Sequence, residues 1–157
     1  MLVLTAAGLY HAAVRRLLRQ VFAQLSRGEW RDVLERASED VHHVFAGDHA
    51  LGGERHSREA MGRWFERVER LVPVDIEVRN VASAGWPWNT VASVEWVDQV
   101  RPAAGEPYVQ QGMHWFRIRW GRVTEIRAYL DTEKVEGAMR AMAEAGIDEA
   151  NAPPITD

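Results

Sequence analysis

The chain of 157 residues is 46% hydrophobic and 27% charged, a composition typical of a folded globular domain. Its length predicts a single domain, 1–157, with a core over about 9–145 and an irregular tail over 148–157. The net charge of −4 gives no electrostatic basis for binding nucleic acid or an anionic membrane. The chain has no cysteine, which excludes disulfides, thiolate catalysis and cysteine-type zinc sites.

Targeting features are also missing from the sequence pattern. The apolar run Met1–Leu4 is too short for the hydrophobic region of a signal peptide, and no basic residue precedes it. No stretch approaches the length of a membrane span. We therefore expect a cytoplasmic protein without a membrane partner.

Helical periodicity marks three segments in the first half of the chain. Apolar residues recur at helical spacing over 9–25, and 30–36 resembles a short second helix that a polar turn at 38–40 closes. Ser57 is a suitable N-cap for a third helix that Pro73 ends. Between the second and third helices, Val41–Ala46 is a candidate strand, and a glycine-rich loop follows over 47–55.

The second half of the chain has the period of two that is typical of strands. Predicted strands are Val74–Val78, Thr90–Val100, Tyr108–Trp120 and Arg122–Leu130, followed by a helix over Thr132–Ala145. Helices followed by antiparallel strands predict an α+β fold, with three N-terminal helices over the concave face of a curved, mostly antiparallel sheet and a C-terminal helix. Such a cone has an open mouth.

The alternation within each strand predicts which side chains enter the cone. In the Tyr108 strand, Phe116 and Ile118 belong to the same face as His114, which is therefore expected to point inward. In the Thr90 strand the more apolar face carries Trp96 and Asp98. The last strand is ambiguous: hydrophobicity buries Ile126, Ala128 and Leu130, yet an outer sheet face covered by a second subunit would allow the opposite orientation.

The order of elements and several short motifs resemble the SnoaL-like group of the nuclear-transport-factor-like superfamily, which includes ketosteroid isomerase and limonene-epoxide hydrolase. The resemblance covers about 9–142 and rests on Phe45–Asp48 with Gly52 and Gly53, on Glu95–Asp98, and on Gly121–Asp131. It implies a cone-shaped α+β domain whose pocket takes small, mostly apolar or aromatic molecules, without a cofactor. The apolar outer-face residues Val97, Met113 and Trp115 separately predict a homodimer formed through the outer sheet face.

The same resemblance implies that Arg127, Tyr129 and Asp131 face the pocket. Asp131 matches the single catalytic Asp of the polyketide cyclases. In limonene-epoxide hydrolases two carboxylates would fall at Asp98 and Asp131, but three of the five catalytic positions differ here, at Trp96, His43 and Phe45. The carboxylate of ketosteroid isomerase would fall near Phe45. The expected substrate-binding residues are His43, Phe45, Trp64, Trp96, Phe116, Arg127 and Tyr129.

Each predicted catalytic residue has a structural alternative. Asp131 could be a general acid/base or the N-cap of the following helix. His114 could hydrogen-bond a substrate oxygen or be a structural histidine. Asp98 could form an acid/base couple with Asp131 or be a solvated strand end. A metal site is not expected, because His42 and His43 point to opposite faces and no histidine pair has ligand spacing.

Together with the resemblance, these observations predict cofactor-free acid/base chemistry of the cyclase or isomerase type, with Asp131 as the acid/base and His114, with Tyr129 or Arg127, stabilising an oxyanion. Water addition to an epoxide by Asp98 and Asp131 is the first alternative. A ligand-binding or dimerisation module without catalysis is the second, and it predicts an Asp131 that contacts only helix N–H groups.

Overall fold

A computed structural model describes residues 5–157. A six-stranded sheet is packed against helices on one face, and its strands lie in the order β2-β1-β6-β5-β4-β3. The helices are α1 (Ala6–Ser26), α2 (Trp30–Leu34), α3 (Arg58–Leu71) and α4 (Thr132–Glu144), with a 3-10 turn at Asp148–Asn151. The strands are β1 (Ala37–Phe45), β2 (Gly53–Arg55), β3 (Ile76–Trp86), β4 (Asn89–Val100), β5 (Tyr108–Arg119) and β6 (Arg122–Leu130).

The sheet is mixed and open. Neighbouring strands are antiparallel except β1 and β6, which are parallel and place His43 beside Ile126. The curved sheet and the helices confirm the predicted α+β cone. No helix within residues 5–157 is long and apolar enough to cross a membrane.

Local sequence explains the helix boundaries. The Thr5 hydroxyl accepts the Gly8 N–H at the start of α1, and the Ser57 hydroxyl accepts the Ala60 N–H at the start of α3, as predicted for Ser57. Helix α3 buries its apolar face, including Trp64 and Phe65, against the sheet. Its charged face remains exposed, which is the amphipathic arrangement of a surface helix.

Two predicted boundaries at the edge of the sheet are wrong. Strand β1 begins at Ala37, so the expected polar turn at 38–40 is extended chain, and Ala37 pairs with Val123 of β6. The expected loop over 47–55 contains β2, which pairs with β1 from His43–Arg55 to Phe45–Gly53. Both segments are rich in polar residues and glycine, which have a low propensity for strands. They are extended because they pair with a neighbouring strand, and this pairing is not visible in the local sequence.

The tail is irregular in secondary structure but firmly packed. Ala150 is buried in the core, so the core extends beyond the predicted limit near residue 145. The Asp157 carboxylate accepts the His56 N–H at 2.7 Å and the Ser57 hydroxyl at 2.8 Å. These contacts hold the last residues against the segment that joins β2 to α3.

Candidate functional site

A cavity of about 240 Å³ lies between the helices and the concave face of the sheet. Its wall is mostly apolar, with side chains from α1, α3 and the inward faces of β4, β5 and β6 that include Phe22, Trp64, Phe65, Trp96, Phe116 and Ile126. A few polar groups also reach it: His43, Asp98, Tyr108, Gln110 and His114. A concave apolar site with a small number of polar groups is the usual form of a small-molecule pocket.

His114 lies on the inward face of β5 and has a defined protonation state. The Trp96 indole Nε1–H donates to His114 Nδ1 at 2.7 Å. An indole can only donate, so Nδ1 must be the acceptor and the ring proton must be on Nε2. Burial lowers the pKa of His114 to about 4, so the ring is neutral near pH 7. His114 therefore offers one N–H donor beyond its bond to Trp96.

His43 is held in the same way on β1. The Arg55 Nη1–H donates to His43 Nδ1 at 2.8 Å, and a guanidinium has no acceptor, so the His43 proton is also on Nε2. Burial, with the nearby charge of Arg55, lowers the pKa of His43 well below its usual range. The His43 ring meets the Trp64 ring edge-on at 4.6 Å between centroids. Two neutral imidazoles with the same tautomer thus line one side of the cavity.

Arg55 is a fully buried cation that the sequence did not predict. Its Nε donates to the Ile155 carbonyl at 3.1 Å and its Nη2 to the Gly52 carbonyl at 2.8 Å. Among residues 5–157 no carboxylate forms an ion pair with it. Burial lowers the pKa of Arg55 to about 10, so it stays protonated. Two carbonyl groups and His43 accept its hydrogen bonds, the more distant charge of Asp157 also favours its protonated form, and the bond to His43 fixes the position of that ring.

Asp98 lies on the inward face of β4 and is 6% exposed. Its Oδ1 accepts the Asp75 N–H at 2.8 Å. Burial in the apolar wall raises the pKa of Asp98 to about 6, so the carboxyl can exchange a proton near neutral pH. A buried carboxyl with a raised pKa in a pocket is a common property of catalytic acids and bases.

Tyr108 and Gln110 surround Asp98. Gln110 is the direct β5 partner of Asp98, and its amide N–H donates to the Asp131 carbonyl at 2.9 Å while its Oε1 is buried without a partner in the described chain. Burial, and then the Asp98 charge, raises the pKa of Tyr108 to about 12, which keeps its hydroxyl protonated. This end of the cavity therefore combines a base, a hydroxyl donor and an unused acceptor.

His114 and Asp98 lie at different levels of the sheet. His114 on β5 pairs with Val94 on β4, and Val94 precedes Asp98 by four residues. Four residues correspond to about 13 Å along a strand. The ring of Trp96 lies between them and covers Gly112, where a side chain would leave a Cβ only 2.5 Å from the indole. A ligand would meet hydrogen-bonding groups at its ends and aromatic side chains along its body.

The structure brings most predicted site residues together. His43, Phe45, Trp64, Trp96, Asp98, His114 and Phe116 all line the cavity. Trp64 also donates its indole N–H to the Leu51 carbonyl at 2.8 Å, which fixes its ring. Their roles remain predictions. Strand alternation predicted the inward positions of Trp96, Asp98, His114 and Phe116, whereas His43 and Phe45 came from the family resemblance.

The prediction that Arg127, Tyr129 and Asp131 face the pocket is wrong. Strand β6 buries Ile126 and Ala128, and alternation turns Arg127 and Tyr129 to the outer face, where Tyr129 is 54% exposed. Arg127 pairs with Glu125 at 2.7 Å. The ambiguity of β6 is therefore resolved by hydrophobicity.

Asp131 is an exposed N-cap. Its carboxylate accepts the Lys134 N–H at 3.4 Å at the start of α4, and it does not line the cavity. The structure therefore does not bring the carboxylates of Asp98 and Asp131 into one site, which is what water addition to an epoxide would require.

Sequence reasoning missed Tyr108, Gln110 and Arg55 as site residues. Tyr108 and Gln110 lie an even number of residues from His114 on β5, so alternation places all three on the same face. Arg55 gave no signal, because it was assigned to a loop and buried arginines are rare.

The family model described as the SnoaL-like domain matches residues 18–126. The chain therefore belongs to the SnoaL-like domain family. No curated protein gives a significant match.

Solved structures share the fold at low sequence identity. An NTF2-like protein of unknown function from Burkholderia pseudomallei K96243 has 17% identity and a TM-score of 0.64, over 80% of this chain and 94% of that one. A protein named "putative polyketide cyclase" from Pseudomonas putida KT2440 has 19% identity and a TM-score of 0.61, over 76% and 92%. A Catenulispora acidiphila protein with a ketosteroid isomerase-like fold, in complex with trimethylamine, has 18% identity and a TM-score of 0.55, over 76% and 84%.

Proposed function

We propose that this protein binds a small, mainly apolar ketone or phenol in the cavity and catalyses a cofactor-free proton transfer on it, as in aldol-type cyclisation or isomerisation. Asp98 is the base in this proposal, in place of the Asp131 that the sequence suggested. The observation that carries it is the Asp98 carboxyl, buried in an apolar wall with its pKa raised to about 6. A base with this pKa is largely ionised near pH 7 and readily returns its proton.

The developing oxyanion needs a donor close to the base. Tyr108 lies at the same end of the cavity and keeps its hydroxyl proton, since burial raises its pKa to about 12. A hydroxyl donor in a dry site stabilises an enolate more strongly than water does. The Nε2–H groups of His114 and His43 then bind an oxygen at the other end of the ligand.

Cavity size limits the ligand. A volume of about 240 Å³ exceeds the roughly 150 Å³ in which a benzene molecule is bound in an engineered cavity. A bicyclic compound is therefore the expected scale. Two polar ends separated by an aromatic wall favour a flat molecule with an oxygen at each end.

Proton transfer can be tested without the natural substrate. 2-Tetralone and 1-indanone have acidic protons next to a carbonyl, and NMR in D2O follows their exchange for deuterium. We expect the wild-type protein to accelerate this exchange and the Asp98→Asn variant to lose the acceleration. Binding of the same ketones is followed separately by quenching of tryptophan fluorescence, since Trp64 and Trp96 line the cavity.

Asp40→Asn is the matched control, because Asp40 is exposed on β1 and lies outside the cavity. Exchange that is equally fast with wild type and Asp98→Asn would eliminate Asp98 as the base.

Ligand binding without catalysis is a second candidate function. One observation in its favour is that Asp98 accepts the Asp75 N–H, so this carboxylate has a structural role in joining β4 to the start of β3. A second is that the Asp131 carboxylate, within residues 5–157, contacts only a helix N–H. This candidate predicts fluorescence quenching by the ketones with no deuterium exchange above background.

We also propose a homodimer through the outer sheet face, as expected from the sequence. Three apolar side chains there are strongly exposed: Val109, Met113 and Tyr129, at 44%, 43% and 54%. Contiguous apolar surface of this kind is typical of interfaces. Light scattering coupled to size exclusion measures the mass, and Met113→Glu should convert the dimer to a monomer; a wild-type monomer would contradict the proposal.

A further inference from the structure

We propose that His42, Glu54 and His56 form a binding site for a divalent transition metal of the zinc class on the outer face of the sheet. This site lies on the opposite face from the cavity and is independent of the proposed proton transfer.

Strand pairing creates the cluster. The antiparallel register of β1 and β2 pairs His43 with Arg55, which sets His42 opposite His56 and diagonal to Glu54. His42 Nε2 and Glu54 Oε2 are 2.7 Å apart, and the rings of His42 and His56 are stacked with centroids 4.4 Å apart. One potential ligand atom from each of the three residues lies within 4.8 Å of the other two.

The donor set selects the kind of metal. Two imidazoles and a carboxylate suit zinc, cobalt or nickel, whereas calcium and magnesium prefer oxygen donors alone. Zinc–nitrogen bonds of about 2.0–2.1 Å place tetrahedral ligand atoms about 3.3 Å apart. The His42–Glu54 pair, 2.7 Å apart, must therefore open slightly, while the widest separation, at most 4.8 Å, must shorten by up to about 1.5 Å. Glu54 and His56 are exposed and His42 is partly exposed, so all three can rotate while the strands hold their backbones.

The surrounding charges permit a cation here. Arg127 on the adjacent β6 also acts on Glu54, after His42 and His56, but its guanidinium is paired with Glu125 at 2.7 Å. The Glu54 carboxylate supplies one negative charge to the site. The site is exposed, so water can complete the coordination of the metal.

The site has a structural consequence for the cavity wall. Outward-facing His42 and Glu54 alternate along β1 and β2 with inward-facing His43 and Arg55, and His56 directly follows β2. Strand β2 has only three residues and lies at the sheet edge. A metal that joins β1 to β2 would therefore fasten the segment from which Arg55 reaches His43.

Calorimetric titration of the EDTA-treated full-length protein with zinc tests the site. We expect one zinc ion per chain. His56→Ala and Glu54→Gln each remove a ligand and should weaken binding by more than the roughly 10- to 100-fold that loss of an outer-shell partner costs. His11→Ala is the matched control. His11 lies on α1 and hydrogen-bonds to the Ser83 hydroxyl and the Gly85 carbonyl on β3.

Cobalt absorption gives a second reading, because its visible bands report nitrogen ligands and coordination number. Those bands should appear with wild type and His11→Ala and should be lost with His56→Ala. No heat with zinc up to about 1 mM, or equal affinity in all four proteins, would overturn the proposal. Since both ligand variants change exposed side chains, folding is not at risk, and circular dichroism verifies it.

Discussion

Trp96 Nε1 and His114 Nδ1 are 2.7 Å apart, and this single hydrogen bond determines which nitrogen of His114 carries the ring proton. Arg55 does the same for His43 from another direction. Both donors lack an acceptor function, so neither histidine can exchange tautomers without breaking a buried bond. The cavity is therefore a preorganised donor site whose geometry depends on residues that need not touch the ligand.

Trp96→Phe should release this constraint. The ring packing is largely kept, but the His114 Nδ1 loses its donor, at a cost of about 1 kcal/mol in stability. Nitrogen-15 NMR of wild type should give a protonated Nε2 and an unprotonated Nδ1 for His114, and the variant should give a mixture. Trp64→Phe removes an indole bond to the Leu51 carbonyl and serves as the control. An unchanged tautomer in Trp96→Phe would contradict this account.

Gly112→Ala should damage the site without touching its polar groups. A Cβ at residue 112 would lie 2.5 Å from Trp96 Cζ2 and 2.7 Å from the Tyr129 carbonyl oxygen, so the indole and the β6 backbone must shift, which disturbs the bond from Trp96 to His114. We expect a loss of about 1–3 kcal/mol by urea unfolding, typical of overpacking, together with weaker ketone binding.

Gly137→Ala is the matched glycine control. Nothing lies within 4 Å of the added Cβ on α4, so the helix preference for alanine should stabilise the fold by up to about 1 kcal/mol. Equal effects of the two substitutions would mean that Gly112 has no packing role.

Asp98→Asn should stabilise the protein at alkaline pH. The pKa of Asp98 rises on folding from its ordinary 3.8 to about 6, so the folded state disfavours the ionised carboxylate. At 1.36 kcal/mol per pH unit the penalty above pH 6 is about 3 kcal/mol, and it disappears as the pH falls from about 6 to about 4. Asparagine is neutral and can still accept the Asp75 N–H.

Urea unfolding between pH 4 and pH 8 measures this difference. The variant should be more stable by up to about 3 kcal/mol at pH 8 and nearly equal to wild type at pH 4. His114 acts with the opposite sign: its pKa is lowered to about 4, so its contribution is lost as the pH falls from about 6.5 to about 4. That loss occurs in both proteins and cancels in the difference. A difference independent of pH would contradict the raised pKa of Asp98.

Most of the fold could be predicted because its long elements carry strong periodicity. Helix α3 and strands β4 and β5 were identified from spacing alone, and the inward positions of Asp98 and His114 followed from alternation. Strand β2 could not be identified, since its three residues are extended only because β1 pairs with them. That omission also hid Arg55 and the approach of His56 to His42.

Only part of the candidate site could be predicted from the sequence, and the reason is physical. Hydrophobicity placed Ile126, Ala128 and Leu130 inward, and the structure agrees for β6. The family resemblance reversed this assignment and selected Asp131 because it ends a strand. Burial of apolar area provides more free energy than a single carboxylate contributes, so the strand keeps its apolar face toward the core.

Asp131 should behave as a helix cap in every measurement. Its carboxylate accepts the Lys134 N–H, and asparagine can do the same, so Asp131→Asn should leave stability within about 0.5 kcal/mol of wild type. Asp131→Ala removes the acceptor and should cost about 1 kcal/mol by urea unfolding. Neither variant should alter ketone binding or deuterium exchange, because the carboxylate lies outside the cavity. If Asp131→Asn abolished exchange while Asp98→Asn did not, the catalytic carboxylate would be Asp131, and α4 would have to move to admit it.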